Sequence, residues 1–594
     1  MEMENPTTQS ASSDATVNKT AGNEVQHTSD AKAASSPAAN DDGGGQLSGL
    51  RLVFLLVAIY TSVFLIALDQ LIVSTAIPRI TDEFHSLQDI GWYGSAYLLT
   101  SCSFQLMFGK IYTFFPIRTV FLLAVFLFEA GSAICGAAPS SAVLIGGRSI
   151  QGVGAAGIYS GAVVGIVYSV PLRQRPLFMG LFGAVSGVAS ILGPLVGGAF
   201  TSNVSWRWCF YINLPFGAVT LLIVAIVLRQ PLRAPKKLSL KAKLAQLDII
   251  GTTFLIPGVV SILLALQWGG STYAWNDRRI IALLTLGVVL LIAFIVVQKL
   301  TPQTATVPGR IFKQRSIYSG FWAIFFIGAQ MNLFLYFIPI WFQAVTGVSA
   351  VSSGIRLLPF PLATIIASIL VGIAATVIGY YTPFLIAGSV FMSVGAGLLT
   401  TLQVDTGMPK WVGYQVLYGF GLGMGIQAPN LAAQTVLPLD DVATGTSLML
   451  FNQLLGGAIF VSVGQSVFNN GLVTRLSGID GIDSSMIEGN GATSLGSNIP
   501  PGLRDTILVA YNEALRDAFR VGLILASLTI IGAVGMEWRS VKTSPSANEP
   551  EHVEAQAIID DPEKKEVRNP VPVPVDEEEA QTGAGEATKA EPLR

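Results

Sequence analysis

The feature that most constrains this chain is a repeat of apolar segments, each about twenty residues long, running from Leu52 almost to residue 536. A helix needs about twenty residues to cross the hydrocarbon core of a bilayer. About fourteen such segments can be cut from the sequence, near 52–77, 91–112, 117–137, 142–169, 176–200, 207–228, 249–267, 280–298, 317–340, 352–377, 383–401, 411–436, 441–468 and 514–536. Composition agrees, because 51% of the 594 residues are hydrophobic and only 12% are charged, roughly half the charged share of a soluble domain. Mean hydropathy is +0.58. The expectation is an all-α polytopic membrane protein.

An even number of spans puts both termini on one side, and Lys and Arg in short loops mark that side as cytoplasmic. The loop RQPLRAPKKLSLKAK at 229–243 is strongly basic, and Arg173, Arg175, Lys313 and Arg315 fall on the same side in the count. Alternate loops are poor in Lys and Arg except for Arg278 and Arg279. The 469–512 loop, rich in Gly, Ser and Asn, is then an extracellular or lumenal excursion. Residues 1–50 are polar and read as a disordered cytoplasmic tail with no cleavable signal peptide, and 541–594 as an acidic disordered cytoplasmic tail.

Several function classes drop out. The net charge of −2 sums an acidic tail with basic loops and gives no sign of nucleic acid as a partner. Cys102, Cys135 and Cys209 are unclustered and odd in number, so neither a disulfide framework nor a metal site is expected. No Gly-rich, Lys-containing nucleotide motif is present, so ATP is not the expected driver and no cofactor is implied. The three histidines, His27, His85 and His552, lie outside the expected membrane helices, and no nucleophile with a base is evident. An enzyme is not expected.

Charges inside the apolar segments need a reason, since a charged side chain at the bilayer centre costs a few kcal/mol or more unless it faces protein or water. They are Asp69, within LIALDQLIVSTAIPRI, Glu129 and Arg148. With a rise of about 1.5 Å per residue, all three fall roughly 9–12 Å below the outer surface, in one layer. A structural ion pair between Asp69 and Arg148, and a single hydrogen bond for Glu129, are the plainer alternatives to proton handling. In the fifth segment Gly193, Pro194, Gly197 and Gly198 strip side chains from one face and loosen the backbone bonding, which suits a gate or an ordinary packing face.

The second half carries uncharged polar groups instead. Gln330, Asn332, Tyr336, Tyr414, Gln415, Tyr418, Gln427, Asn430, Asn452 and Gln453 all lie in apolar segments. Rings and amides suit a pocket for a bulky, largely apolar solute. Bonding between helices is the alternative.

The blocks LDQLIVSTAIP (68–78), LIGGRSIQGVGAAG (144–157), GVASILGPLVGGAF (187–200) and WRWCFYINLPFG (206–217) appear in an order that resembles the drug:proton antiporters of the major facilitator superfamily. The resemblance covers about residues 50–540 and is to the fungal fourteen-span branch, with its toxin and multidrug efflux pumps. Departures are Ala189 for a glycine, and Thr113 and Pro116 where the loop motif has an aspartate and a glycine. Lys110 and Arg118 remain there, read as positive-inside charge.

This resemblance implies a major facilitator fold of two six-helix bundles, 51–228 and 317–540, with 229–316 holding a basic linker and two extra helices. It implies a proton-coupled antiporter that exports a small, largely apolar organic compound such as a secondary metabolite, toxin or drug. Asp69, Arg148 and Glu129 would handle protons, and the second bundle most of the cargo contacts. The implied partners are that compound, protons and membrane lipid. The chain is expected to be a monomer in the plasma membrane, with vacuolar or vesicular membrane left open. An importer, or a non-transporting sensor on a transporter scaffold, is the alternative.

Overall fold

The computed structural model describes residues 49–86, 89–228, 238–270, 273–476 and 504–542. The described residues are almost entirely helical. The helices are α1 (Leu50–Phe84), α2 (Ile90–Phe114), α3 (Ile117–Gly136), α4 (Ser141–Ser169), α5 (Arg175–Asn203), α6 (Trp208–Tyr211) and α7 (Asn213–Val227). The short α8 (Leu240–Ala245), α9 (Ile249–Trp268), α10 (Arg278–Leu300) and the short α11 (Gly309–Phe312) follow. The remainder are α12 (Arg315–Ala344), α13 (Ala350–Leu357), α14 (Pro359–Ile378), α15 (Thr382–Leu399), α16 (Met408–Gly425), α17 (Ala428–Val436), α18 (Leu439–Leu476) and α19 (Arg504–Gly535).

Local chemistry sets several of these starts. Prolines open α14, α15, α16 and α17 within the first two positions, where a missing N–H costs nothing. Asp248 caps α9 by accepting from the Gly251 N–H at 2.9 Å, and also takes the Gln298 amide and the Thr306 hydroxyl. That one carboxylate ties the start of α9 to the end of α10.

Among the described residues, twelve helices are long and apolar enough to cross a membrane. The two other expected spans fold as α2 and as α16 followed by α17. Both positions are helical, and their polarity explains why they fall outside the twelve. Helix α2 carries Ser101, Ser103, Gln105 and Lys110, all buried against protein, and α16–α17 carry Gln415, Asn430 and Gln434, also buried. The expected 469–512 loop is shorter than the sequence suggests, since α18 continues to Leu476 and α19 starts at Arg504. Residues 477–503, and both tails beyond residues 49 and 542, lie outside the described residues.

Helices α2 and α3 pack on α4, and α1 packs on α5 and α7, forming one bundle. Helix α12 packs on α18 and α19, α15 on α16 and α19, and α14 on α16, forming the second. The extra pair α9 and α10 pack on each other, with α9 against α2, where Ser95 donates to Gln267 at 2.7 Å. Helix α10 leaves Ile281, Val289, Ile292 and Ile295 exposed, and α3 leaves Leu123 and Phe126 exposed. Apolar faces of that extent fit lipid and not water. The chain is an integral membrane protein.

The bundles meet along α2 against α18 and α5 against α14. Thr113 and Thr444 hydroxyls lie 3.4 Å apart, Ser160 and Ser447 3.1 Å, and the Tyr168 hydroxyl donates to the Leu439 carbonyl at 3.1 Å. These contacts sit at the C-terminal halves of α2 and α4 and the start of α18, so the bundles are closed at that end.

Candidate functional site

Asp69 on α1 and Arg148 on α4 are both fully buried and form an ion pair through Arg148 Nη1. Burying two charges costs several kcal/mol per ion, offset only when the remaining donors and lone pairs are filled. Here most of them are met. Gln151, one helical turn after Arg148 on the same face, donates its amide to Asp69 Oδ1 and to Ser132 Oγ, each at 2.7 Å. Its own oxygen accepts from Arg148 Nη1 at 2.8 Å. Asn213, at the start of α7, donates to Asp69 Oδ1 and to Ser132 Oγ, each at 3.1 Å. Arg148 Nε donates to the Tyr93 carbonyl at 2.8 Å, and the guanidinium lies 4.5 Å from the centre of the Tyr97 ring. One carboxylate therefore gathers α1, α3, α4 and α7, and its arginine adds α2.

Sequence reasoning missed Gln151, Ser132 and Asn213. Gln151 follows Arg148 by three residues, a spacing that places both on one helix face and could have found it. Ser132 stands in the same relation to Glu129. Asn213 carried no local signal, because its place depends on how the helix running from Trp208 to Val227 is rotated against α1.

Glu129 lies apart from the ion pair. It is buried on α3, and among the described residues neither carboxyl oxygen has a hydrogen-bond partner. It packs against Gly217, four residues after Asn213 on α7. The three charged residues therefore divide into a pair and a neighbour one helical turn away. Asn213 Oδ1, between them, also lacks a partner.

The proposed gate residues divide as well. Gly193 and Gly197 face α1 inside their own bundle: a Cβ at Gly193 lies 2.9 Å from Leu71 Cβ, and one at Gly197 lies 2.6 Å from the Ile72 carbonyl oxygen. A Cβ at Gly198 meets nothing within 4 Å, and Pro194 stands inside α5. The close approach to the other bundle is made by earlier glycines. A Cβ at Gly180 lies 2.5 Å from the Ser368 carbonyl oxygen, and Gly187 packs on Ile365 of α14. Lys110, read from the sequence as loop charge, is instead buried on α2 with its ammonium 5.9 Å from the Phe114 ring centre.

The amides and rings of the second bundle sort into two sets. Gln330 and Tyr418 are buried and bonded to one another at 3.3 Å, with Gln330 donating to Thr529 at 3.1 Å. Asn452 donates to the Phe321 carbonyl, Gln415 to the Arg356 carbonyl, and Asn430 is buried. Gln427, at the start of α17, lines a narrow cavity of about 30 Å³ with Met179 and Ser368. Tyr336 is 46% exposed, and Asn332 and Gln453 are half-buried. Asn332 and Tyr336 share a face of α12, and Asn332 packs on Gly457, one turn beyond Gln453 on α18.

At the end of the first bundle remote from the closed contacts, Trp206 Nε1 donates to Glu83 at 2.6 Å and Arg207 pairs with the same carboxylate at 2.9 Å. The Trp206 bond first, then Arg207, hold Glu83 below its ordinary value of 4.5.

Comparison with known proteins places these features. A family model described as Major Facilitator Superfamily matches residues 59–461. The chain is 53% identical over 498 residues to a protein named MFS-type efflux pump MFS1 from Arthroderma benhamiae, covering 84% of this chain and 93% of that one. It is 49% identical to efflux pump aflT of Aspergillus parasiticus, covering 84% and 98%. The crystal structure of the human organic anion transporter MFSD10 superposes with a TM-score of 0.52 at 14% identity, covering 80% of this chain and 99% of that one. At that identity the likeness bears on fold alone.

Proposed function

The chain belongs to the major facilitator superfamily, and from that premise we propose that it exports a small, largely apolar organic compound in exchange for protons. As a member of that family it is a membrane transporter and not an enzyme. Relatives that share about half its residues over most of their length are named efflux pumps, which supports the outward direction. An importer has no comparable support.

The observation that carries proton coupling is the buried Asp69–Arg148 pair, with both Asp69 oxygens bonded by side chains of α4 and α7. A purely structural pair of this kind is often replaceable by apolar residues without loss of stability. Its position among five helices fits a switch. Protonation of Asp69 removes one charge, weakens its hold on Arg148 and loosens the amides of Gln151 and Asn213. Those groups draw on α4 and α7 together, so the change is passed to the packing of the whole bundle. Glu129, one turn away with both oxygens unpartnered, is the second candidate for the proton.

The loop charges put the closed end and both tails on the cytoplasmic side, with α2 and the α16–α17 pair completing fourteen spans. The arrangement described is then closed to the cytoplasm, the state in which an exchanger takes up its proton from outside. Cargo contacts fall to the half-buried group Asn332, Tyr336 and Gln453, while Gln330, Gln415, Tyr418 and Asn452 hold the second bundle together. The plasma membrane is the proposed site.

The test is transport into inside-out vesicles. With an imposed proton gradient the wild type accumulates cargo against its concentration gradient, and dissipating the gradient abolishes accumulation. Gradient-independent accumulation, or accumulation by intact cells, contradicts the reading.

A further inference from the structure

The second bundle has a groove of about 660 Å³ at the end remote from its closed contacts, formed where α12 finishes and α14 and α16 begin. Arg315 Nε donates to the Gly535 carbonyl at the opposite end, which joins the start of α12 to the last turn of α19. The groove therefore lies where four membrane helices leave the apolar layer, at headgroup level. Its walls include Ile355, Leu362 and Met408, all exposed and apolar.

Two opposite charges share this groove. Arg356 is braced by rings, with its guanidinium carbon 5.8 Å from the Phe342 ring centre and 6.0 Å from that of Trp411. It donates one N–H to Thr346 Oγ1 at 3.3 Å, which leaves most of its five donors unused. Asp405, in the turn between α15 and α16, is exposed. Among the described residues no ion pair joins either one to an opposite charge. A braced cation, a separate anion and an apolar wall at headgroup level form a dipolar site.

We propose that this groove holds a zwitterionic glycerophospholipid of the surrounding bilayer. Its phosphate sits on Arg356, its ammonium on Asp405, and an acyl chain runs along Ile355 and Leu362. A free anion has no use for the apolar wall, and a phosphatidylglycerol headgroup has no cation for Asp405. The inference needs only that these helices sit in a bilayer, so it stands or falls separately from proton exchange.

The test is native mass spectrometry of the full-length protein in detergent, titrated with phosphatidylethanolamine or phosphatidylglycerol. The wild type retains one phosphatidylethanolamine in preference to phosphatidylglycerol. Arg356→Gln weakens retention about tenfold or more, since a charge-assisted bond to the phosphate is lost, and Arg356→Lys restores most of it. Asp405→Asn, in an exposed turn where folding is not at stake, keeps phospholipid but loses the preference. Equal retention of both lipids by the wild type, or a preference unchanged in Asp405→Asn, overturns the proposal.

Discussion

In the proposed exchange Asp69 carries the proton, and its neighbours decide what substitutions do. Gln151→Leu removes the donor to Oδ1 and the acceptor for Arg148 at once. Leaving a buried polar group short of a partner costs about 1–3 kcal/mol, and more where the group is charged, so this variant should melt at a lower temperature and exchange protons poorly even where it reaches the membrane. Purified-protein melting curves beside vesicle transport check both effects. Arg148→Lys keeps the charge but loses the planar fork that meets Asp69, Gln151 and the Tyr93 carbonyl together, and a partial defect is expected.

Glu83 offers a pH test away from the membrane core. Its carboxyl is held below the ordinary value by Trp206 and Arg207. A depressed folded-state value means that the stabilisation is present above pH 4.5 and is lost as pH falls through the folded value. Glu83→Gln should therefore melt earlier than wild type at neutral pH, with the difference closing in acid. A difference that stays unchanged as pH falls through that folded value would assign the loss to packing. The meeting of Asp69 and Arg148 was legible in the sequence because charges in apolar segments have few places to go. Asn213 was not, since it reaches Asp69 only through the rotation of its helix against α1.

At the scale of elements, the positions of the helices were largely legible and their faces were not. Apolar length located α1, α3 and α10, and even the polar α2 could be placed between its neighbours. The rotation of each helix was invisible. Gln330 and Asn332 are two residues apart, yet one is buried in a bonded pair and the other is half-exposed. The same ambiguity affects α5, where the sequence drew attention to Gly193 and Gly197 but Gly180 and Gly187 make the contact with α14. Overpacking there costs about 1–3 kcal/mol, enough to shift the closed population about tenfold or more. Gly180→Val should reach the membrane and slow export, and it should raise the labelling of cysteines placed along the closed contact. Gly193→Val presses on Leu71 within one bundle and should lower stability without that labelling change. Gly198→Val, facing open space, should behave as wild type. Identical export by all three would remove α5 from the gate.

For the whole molecule, proton exchange requires that one buried carboxylate see the two sides in turn while the bundles rock about it. The contacts joining Thr113 to Thr444 and Ser160 to Ser447 close one end, which is cytoplasmic in the orientation proposed from loop charge. Tags on both termini should be reached only from the cytoplasm, and a tag between residues 477 and 503 only from the opposite side. Protease access to either tail from outside would reverse the orientation and the direction assigned to the exchange.

Asp69→Asn separates a titrating carboxylate from a structural one, because it preserves the volume and much of the hydrogen bonding while removing the charge. Wild-type and variant protein, at matched amounts in inside-out vesicles, are compared for cargo binding and for uptake with and without a proton gradient. The account predicts that the variant binds cargo but gains nothing from the gradient. Full gradient-driven uptake by Asp69→Asn would contradict it, leaving the Asp69–Arg148 pair structural and moving the proton to Glu129 or elsewhere.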